Sequence, residues 1–256
     1  MQFSLIHASR GRPRMAEEAI LEWTGKCSGQ NTYEYILSAD ADDAGIDAYR
    51  ELAARLGIRL VVDVNRSAVE AWNRAAARTS GDVLVAVSDD FGCPEDWDLA
   101  LEAAIGDSRD VAVLVHDGVE GRIMTLPIVD RAWYERYGYI LYPAYRHMFC
   151  DDDLTHLARA TGRLVDARHR VFPHRHHTAG LSPEDDTYRH SGNSLGWWRD
   201  QRVYAKRAAA RFGLRPRSIR LFVAERRIDL LYFVHIAGIT AKRWLPAGVA
   251  ARLPRW

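Results

Sequence analysis

Asp89 and Asp90 end the apolar run Val83-Leu84-Val85-Ala86-Val87-Ser88, with Pro94 and Trp97 just beyond. Two adjacent carboxylates repel unless something positive neutralises them, and a hard divalent cation does so through oxygen ligands. Mg²⁺ or Mn²⁺ bridging carboxylates to a diphosphate is chemistry this pair would serve. An aspartate-rich loop that only caps the next helix is the structural alternative. A second acidic group, Phe149-Cys150-Asp151-Asp152-Asp153-Leu154, opens a helical pattern. Acids there favour the helix dipole. Packed together they also raise at least one pKa, which suits a general base. The third group is Pro173-His174-Arg175-His176-His177. His-x-His on an extended segment points both rings to one side, as a metal or phosphate contact requires. Zinc is the rival metal, but thiol partners at suitable spacing are absent. Near the N-terminus, Arg10 in Ser9-Arg10-Gly11-Arg12-Pro13-Arg14 offers a guanidinium that suits phosphate oxygens. The same turn reads equally as a solvated face.

These groups need a scaffold, and the chain's periodicities describe one. Phe3 to His7 reads as a strand, Met15 to Trp23 as a helix, Tyr33 to Leu37 as a strand and Ile46 to Leu56 as a helix. Ile58 to Val62 is a third strand, and a helix follows from an N-cap at Ser67 to Ala77. Val83 to Val87 is apolar at every position, as a strand buried on both faces must be. This rhythm predicts an α/β fold with a mostly parallel central sheet flanked by helices. After Asp90 the rhythm changes. Glu95 to Ile105 is helical; Val111 to His116 and Arg122 to Pro127 flank Asp117-Gly118 as the arms of a hairpin. Short helices are expected over Asp130 to Tyr137 and Asp152 to Thr161, the latter closed by Gly162 as C-cap. Leu164 to Phe172 is a strand, and a long helix is expected from Pro183 to Phe212, interrupted by Gly192 and Gly196. Trp197-Trp198 on that helix is either a platform for a sugar face or core.

With 256 residues, 48% hydrophobic and 27% charged, the chain has the composition of a soluble globular protein large enough for one α/β domain with an appendage. A net charge of +1 gives no global bias toward nucleic acid. The charge is uneven, however: from Leu214 to Trp256 nine Arg and Lys face two acids. The expected division is therefore a domain over 1–213 and a basic, aromatic-rich helical extension over 214–256. The extension would meet an anionic lipid surface or pack on the domain or on a second subunit. Three cysteines, Cys27, Cys93 and Cys150, form neither a disulfide framework nor a zinc ribbon, which fits a reducing compartment. The short run Phe3 to Ala8, followed at once by arginines, is no signal peptide. The expectation is a cytoplasmic protein, peripheral to the inner face of the membrane if the tail meets lipid rather than packing on protein.

Over Phe3 to His177 the sequence resembles the family 2 glycosyltransferases of GT-A fold, which are nucleotide-sugar-dependent. Ser88-Asp89-Asp90 stands where that family carries Asp-x-Asp, with Ser88 in place of the first acid. The resemblance implies Asp90 as metal ligand, Asp89 beside the nucleotide, and His174 or His176 as a late metal ligand. It implies that Ala8-Ser9-Arg10, at the end of the first strand, touches the nucleotide. Asp40 would meet the base, with Asp42 and Asp43 close enough to compete for the role, and Asn65 would face the nucleotide. Asn73, on the helix that follows, reads as structural. Asp151 becomes the base that deprotonates the acceptor hydroxyl, with Asp152 as runner-up, in a single displacement that inverts the sugar. The donor implied is a nucleotide-sugar, a UDP-sugar first, with Mn²⁺ or Mg²⁺. The acceptor, whether glycan, lipid or small molecule, is not encoded in these motifs.

Two other classes share parts of the pattern. A nucleotidyltransferase also combines an α/β sheet, a metal and acids, but opens with a Gly-rich loop that Ser9 to Arg14 only faintly imitates. A binding module could retain the shape without the chemistry; acids at both Asp89-Asp90 and Asp151 to Asp153 count against that.

Overall fold

Alternating apolar stretches and amphipathic helices fold into a layered unit because the central strands, β4 above all, must bury both faces. The structure is a computed structural model and describes residues 1–175 and 194–214. In chain order its elements are β1 (Gln2–Ser9), α1 (Pro13–Gly25), β2 (Thr32–Asp40), α2 (Ile46–Leu56), β3 (Arg59–Asp63), α3 (Ala68–Ala76) and β4 (Val83–Val87). Then come α4 (Trp97–Ile105), β5 (Ala112–His116), β6 (Ile128–Asp130), α5 (Arg131–Tyr137), α6 (Cys150–Thr161), β7 (Leu164–Val171) and α7 (Ser194–Ala209).

The seven strands lie in the order β3-β2-β1-β4-β6-β5-β7. Only β6 runs against its neighbours, so β4 and β5 on either side of it point the same way. The carboxyl ends of β1, β2, β3, β4, β5 and β7 therefore share one edge of the sheet, the edge where open α/β sheets bind ligands. All five residues of β4 are buried, each worth roughly 1 to 3 kcal/mol of transfer free energy. Trp23 and Trp97 meet edge to face at 5.3 Å beneath Phe3. Both indole N–H groups are satisfied, by the carbonyls of Phe91 and Trp23, at 2.9 and 2.8 Å.

The helix ends follow local chemistry. Ser67 caps α3 by accepting from the Glu70 N–H at 3.2 Å, and Asp130 caps α5 by accepting from the Trp133 N–H at 2.8 Å. Gly162 closes α6 with φ of 70°, a conformation that costs glycine nothing.

One expected element is absent. Arg122 to Pro127 is not a hairpin arm; the strand is Ile128–Asp130. Asp117 takes the backbone N–H groups of Val119 and Glu120 and the Thr125 hydroxyl, while the Met124 N–H goes to the Thr155 hydroxyl. The backbone donors of the segment go to Glu120, Thr155 and Ile123 instead of to a ladder, since Arg122 N–H meets the Glu120 carboxylate and Thr125 N–H the Ile123 carbonyl. The expected long helix is described from Ser194, with Gly196 inside it; its part over 183–193, His176 and the extension beyond Leu214 lie outside the described residues. Met1 to Ala205 forms one unit. Among the described residues no helix is long and apolar enough to cross a membrane.

Candidate active site

The loops leaving β4 and β7 are zipped together. Gly92 donates to the Pro173 carbonyl, Arg175 to the Asp90 carbonyl and His174 to the Asp117 carbonyl, each at 2.8 Å. The Phe91 and His174 rings stack at 4.1 Å. Arg175 forks onto Glu22 of α1 at 2.7 and 2.9 Å, tying the loop down from its far side. This backbone stitching brings together residues 84 positions apart: His174 Nε2 lies 3.3 Å from Asp90 Oδ2. On its other side, His174 Nδ1 lies 3.5 Å from Asp117 Oδ2.

A histidine between two carboxylates has its charge favoured. Burial is the largest single effect and works against the imidazolium, but Asp117 and Asp90 together overcome it and lift His174 to about 9. Burial likewise pushes Asp117 upward; His174, the N–H groups of Glu120 and Val119 and the Thr125 hydroxyl outweigh it and hold the carboxyl at about 2. Asp117, read from the sequence as a turn residue, is thus part of the site. Its only sequence signal was Asp-Gly, which looks the same in an ordinary turn.

Asp89 faces the other way. Its Oδ1 lies 2.9 Å from Nε2 of His7, a fully buried residue of β1 whose Nδ1 meets the Tyr35 hydroxyl at 2.9 Å. The Asp89 side chain is only 6% exposed. Ser88 Oγ donates to Asp90 Oδ1 at 2.6 Å, so the serine standing in for an acid orients the one that follows.

At the ends of β1, β2 and β3, Ala8 sits beside Ser38, and the buried Ser9 shares a hydrogen bond of 2.7 Å with Tyr49 of α2. Arg10 pairs with Asp40 and, at 2.7 Å, with the exposed Asp42. The other Asp40 oxygen accepts from Asn65 Nδ2 at 2.7 Å. Asp43 is committed to the backbone N–H groups of Gly11 and Gly45 at 2.6 and 2.7 Å, a structural role that separates it from Asp40. Ala8, Arg10, Asp40 and Asn65 therefore form one group at this end of the sheet. Asn73 bridges to the loop before α6, accepting from Ile140 and Leu141.

Asp151, Asp152 and Asp153 occupy the first turn of α6 and diverge. Asp153 is buried and accepts from the Tyr145 hydroxyl at 3.0 Å. Asp152 is buried too, its carbonyl meeting the His156 ring at 3.0 Å. Asp151 is half-buried and within electrostatic reach of His174 and Glu120. Burial raises it to about 6, against the pull of the backbone N–H groups of Asp152 and Asp151 itself and of His174. A cavity of about 780 Å³ opens beyond Glu120, lined by His116, Arg122, Asp166, Arg168 and His169 among others.

Among the described residues no cluster of three or more His, Cys, Asp or Glu side chains is arranged around a metal. Asp90 and His174 fit a site of another kind. Mg²⁺ and Mn²⁺ are commonly held by one or two protein ligands, with substrate phosphates and water completing the shell.

The seven-stranded, mostly parallel sheet flanked by helices, with its shared carboxyl edge, has the fold of the GT-A-type glycosyltransferases. Solved structures of that type superpose on it. TarS of S. aureus aligns over 67% of this chain and 36% of its own, at 14% identity and a TM-score of 0.53. Its 1–349 fragment, solved with UDP and with UDP-GlcNAc, aligns over 59% and 57% of its length at 15% and 14% identity, with TM-scores of 0.51 and 0.52. The mannosyltransferase PcManGT from Pyrobaculum calidifontis, in complex with GDP-Man and Mn²⁺, covers 89% of this chain and 80% of its own at 15% identity, with a TM-score of 0.54. The chain thus spans about a third of full-length TarS and under two thirds of its fragment. No family model and no curated protein sequence matches the chain.

Proposed function

We propose that this chain is a metal-dependent, inverting glycosyltransferase that moves a sugar from a nucleotide-sugar, a UDP-sugar first, to an acceptor hydroxyl. The observation that carries the reading is the Asp90–His174 pair, 3.3 Å apart on the carboxyl edge of the sheet, with Asp151 within electrostatic reach of the histidine. The nucleotide would lie over Ala8, Arg10, Asp40 and Asn65, with Asp40 accepting from an N–H of the base. Arg10, already at the mouth of this group, exchanges one of its two carboxylates for a phosphate oxygen when the donor binds. Asp90 and His174 would hold Mn²⁺ or Mg²⁺, which supplies positive charge to the departing diphosphate. Asp89 stays against His7 and shapes the loop from behind. Asp151 accepts the proton of the acceptor hydroxyl as its oxygen attacks the anomeric carbon, and the nucleoside diphosphate leaves from the opposite face. The acceptor would enter from the side of Glu120 and its charged cavity.

The neighbours support a nucleotide-sugar donor in general, and because they were solved with both uridine and guanosine nucleotides, the test includes both. Calorimetric titration of UDP, GDP and dTDP with and without Mn²⁺ is expected to show metal-dependent binding of one of them that Asp90→Ala abolishes. Failure of all three to bind with the metal would remove the reading.

A further inference from the structure

Asp200 lies on α7 and is 1% exposed. Its carboxylate accepts from three successive backbone N–H groups: Arg146 at 3.2 and 3.1 Å, His147 at 2.9 Å and Met148 at 3.0 Å. Arg199 adds a contact at 3.1 Å from the same helix. Consecutive N–H groups converging on one point form a concavity for an anion, and here a side chain of the protein fills it.

What the captured turn leads into gives it meaning. Phe149, the next residue, has φ of 65°, a left-handed conformation that is strained for a bulky side chain by about 1 to 3 kcal/mol. That residue is the N-cap of α6, two positions before Asp151. Trp197, Asp200 and Tyr204, spaced three and four apart, lie on one face of α7. Trp197 packs edge-on against Phe149 at 5.4 Å, and Tyr204 lies 5.8 Å from it with its hydroxyl 2.8 Å from His156 Nδ1 of α6. One helix face therefore holds the strained residue from both sides: its ring through two aromatics, and the backbone ahead of it through Asp200.

We infer that Asp200 is a positioning residue, which fixes the 146–149 turn and with it the first turn of α6 that carries Asp151. An α6 that began in an ordinary turn would rotate its first residues, and a displacement of about 1 Å at a catalytic group can cost on the order of a hundredfold in rate. The inference rests on the reading of Asp151 as the base, but its first test does not require a substrate.

The experiment follows the Asp151 side-chain carboxyl by carbon NMR through a pH titration in the full-length protein and in Asp200→Asn, with Asp151→Asn to assign the signal. Asparagine keeps one acceptor oxygen and similar volume. The expected result is a folded variant whose Asp151 titrates lower than in the parent, because a loosened turn exposes it to water. An unchanged Asp151 titration in the folded variant overturns the inference. Should Asp200→Asn not fold, Trp197→Leu loosens Phe149 from the same helix face and takes the same measurement. In parallel, hydrolysis of UDP-GlcNAc and of GDP-mannose is measured with Mn²⁺. A tenfold or larger fall in kcat in Asp200→Asn, with donor KM within about twofold and no additional loss in the Asp151→Asn/Asp200→Asn double variant, supports positioning through Asp151. Independent, multiplying losses overturn it. A parent that binds and hydrolyses neither donor while its Asp151 still responds to Asp200→Asn would count against the glycosyltransferase reading and leave the positioning role standing.

Discussion

His7 of β1 and Asp89, in the loop that leaves β4, form a buried pair: the imidazole Nε2 and the carboxylate Oδ1 are 2.9 Å apart, with the histidine side chain 0% exposed. The Tyr35 hydroxyl meets Nδ1 on the other side of the ring and extends the chain. With Tyr35 donating to Nδ1, Nε2 carries the proton and gives it to Asp89. His7→Ala leaves a carboxylate in the interior without this donor, and breaking a buried pair from one side costs about 3 to 5 kcal/mol. Urea denaturation is expected to show a loss of that order, with Tyr35→Phe losing only about 1 kcal/mol, as for one hydrogen bond. Equal midpoints for His7→Ala and the parent would refute the pairing as an anchor of the Asp89-Asp90 loop.

Gly81, just before β4, is required for a steric reason. A Cβ built there would lie 2.5 Å from Ser4 Oγ and 2.9 Å from both the Gln2 carbonyl oxygen and the Phe3 carbonyl carbon. Two of those atoms are backbone of β1 and cannot rotate away. Gly81→Ala is expected to separate β1 from the start of β4 and to cost about 1 to 3 kcal/mol in thermal or urea unfolding. A variant as stable as the parent would mean that the strands slide apart without penalty.

Much of this architecture was legible in the sequence, for identifiable reasons. Val83 to Val87 announced a strand buried on both faces, Ser67 and Gly162 marked helix ends, and Ile46 to Leu56 carried a complete amphipathic period. Each is a local property, settled within a few residues. The missed features depend on distant partners. Arg122 to Pro127 looked like a strand because nothing nearby revealed that the Met124 N–H would go to Thr155, thirty-one positions on. Asp200 sits among polar residues of an ordinary helix, and its three partners lie more than 50 positions away. Arg10 could be placed at a strand end from the sequence, whereas its pairing with Asp40 and Asp42 could not.

Asp98 ties α4 to the loop before β2 and makes stability depend on pH. Fully buried, it accepts from the Ser28 N–H at 2.8 Å, the Ser28 hydroxyl at 2.5 Å and Asn31 Nδ2 at 3.2 Å. Burial pushes its pKa up, but these donors prevail and the carboxyl lies below its ordinary value. An acid depressed in the folded state stabilises the protein above its unfolded pKa, near 4, and loses that contribution as pH falls through the lower folded value. Asp98→Asn should therefore lower Tm at pH 7 and approach the parent toward pH 3. A Tm difference that is the same at pH 7, 5 and 3 would show that the carboxylate's charge has no part in it.

Asp151 makes the opposite prediction, for activity. Its carboxyl is raised to about 6, first by burial and further by Glu120. A general base works only when deprotonated, so kcat/KM for the nucleotide-sugar selected by calorimetry should be flat above pH 7 and fall tenfold per unit below about 6, well above the range of an ordinary aspartate. Asp151→Asn should reduce transfer by at least about a hundredfold, the scale of general-base catalysis, while leaving metal-dependent nucleotide binding intact. Glu120→Gln removes one of the charges that raise Asp151 and should move the acid limb to lower pH without a comparable loss of maximal rate. If the limb stays in place in Glu120→Gln and persists in the residual activity of Asp151→Asn, the titrating group is not Asp151, and Asp152, buried one residue further along α6, becomes the residue to replace.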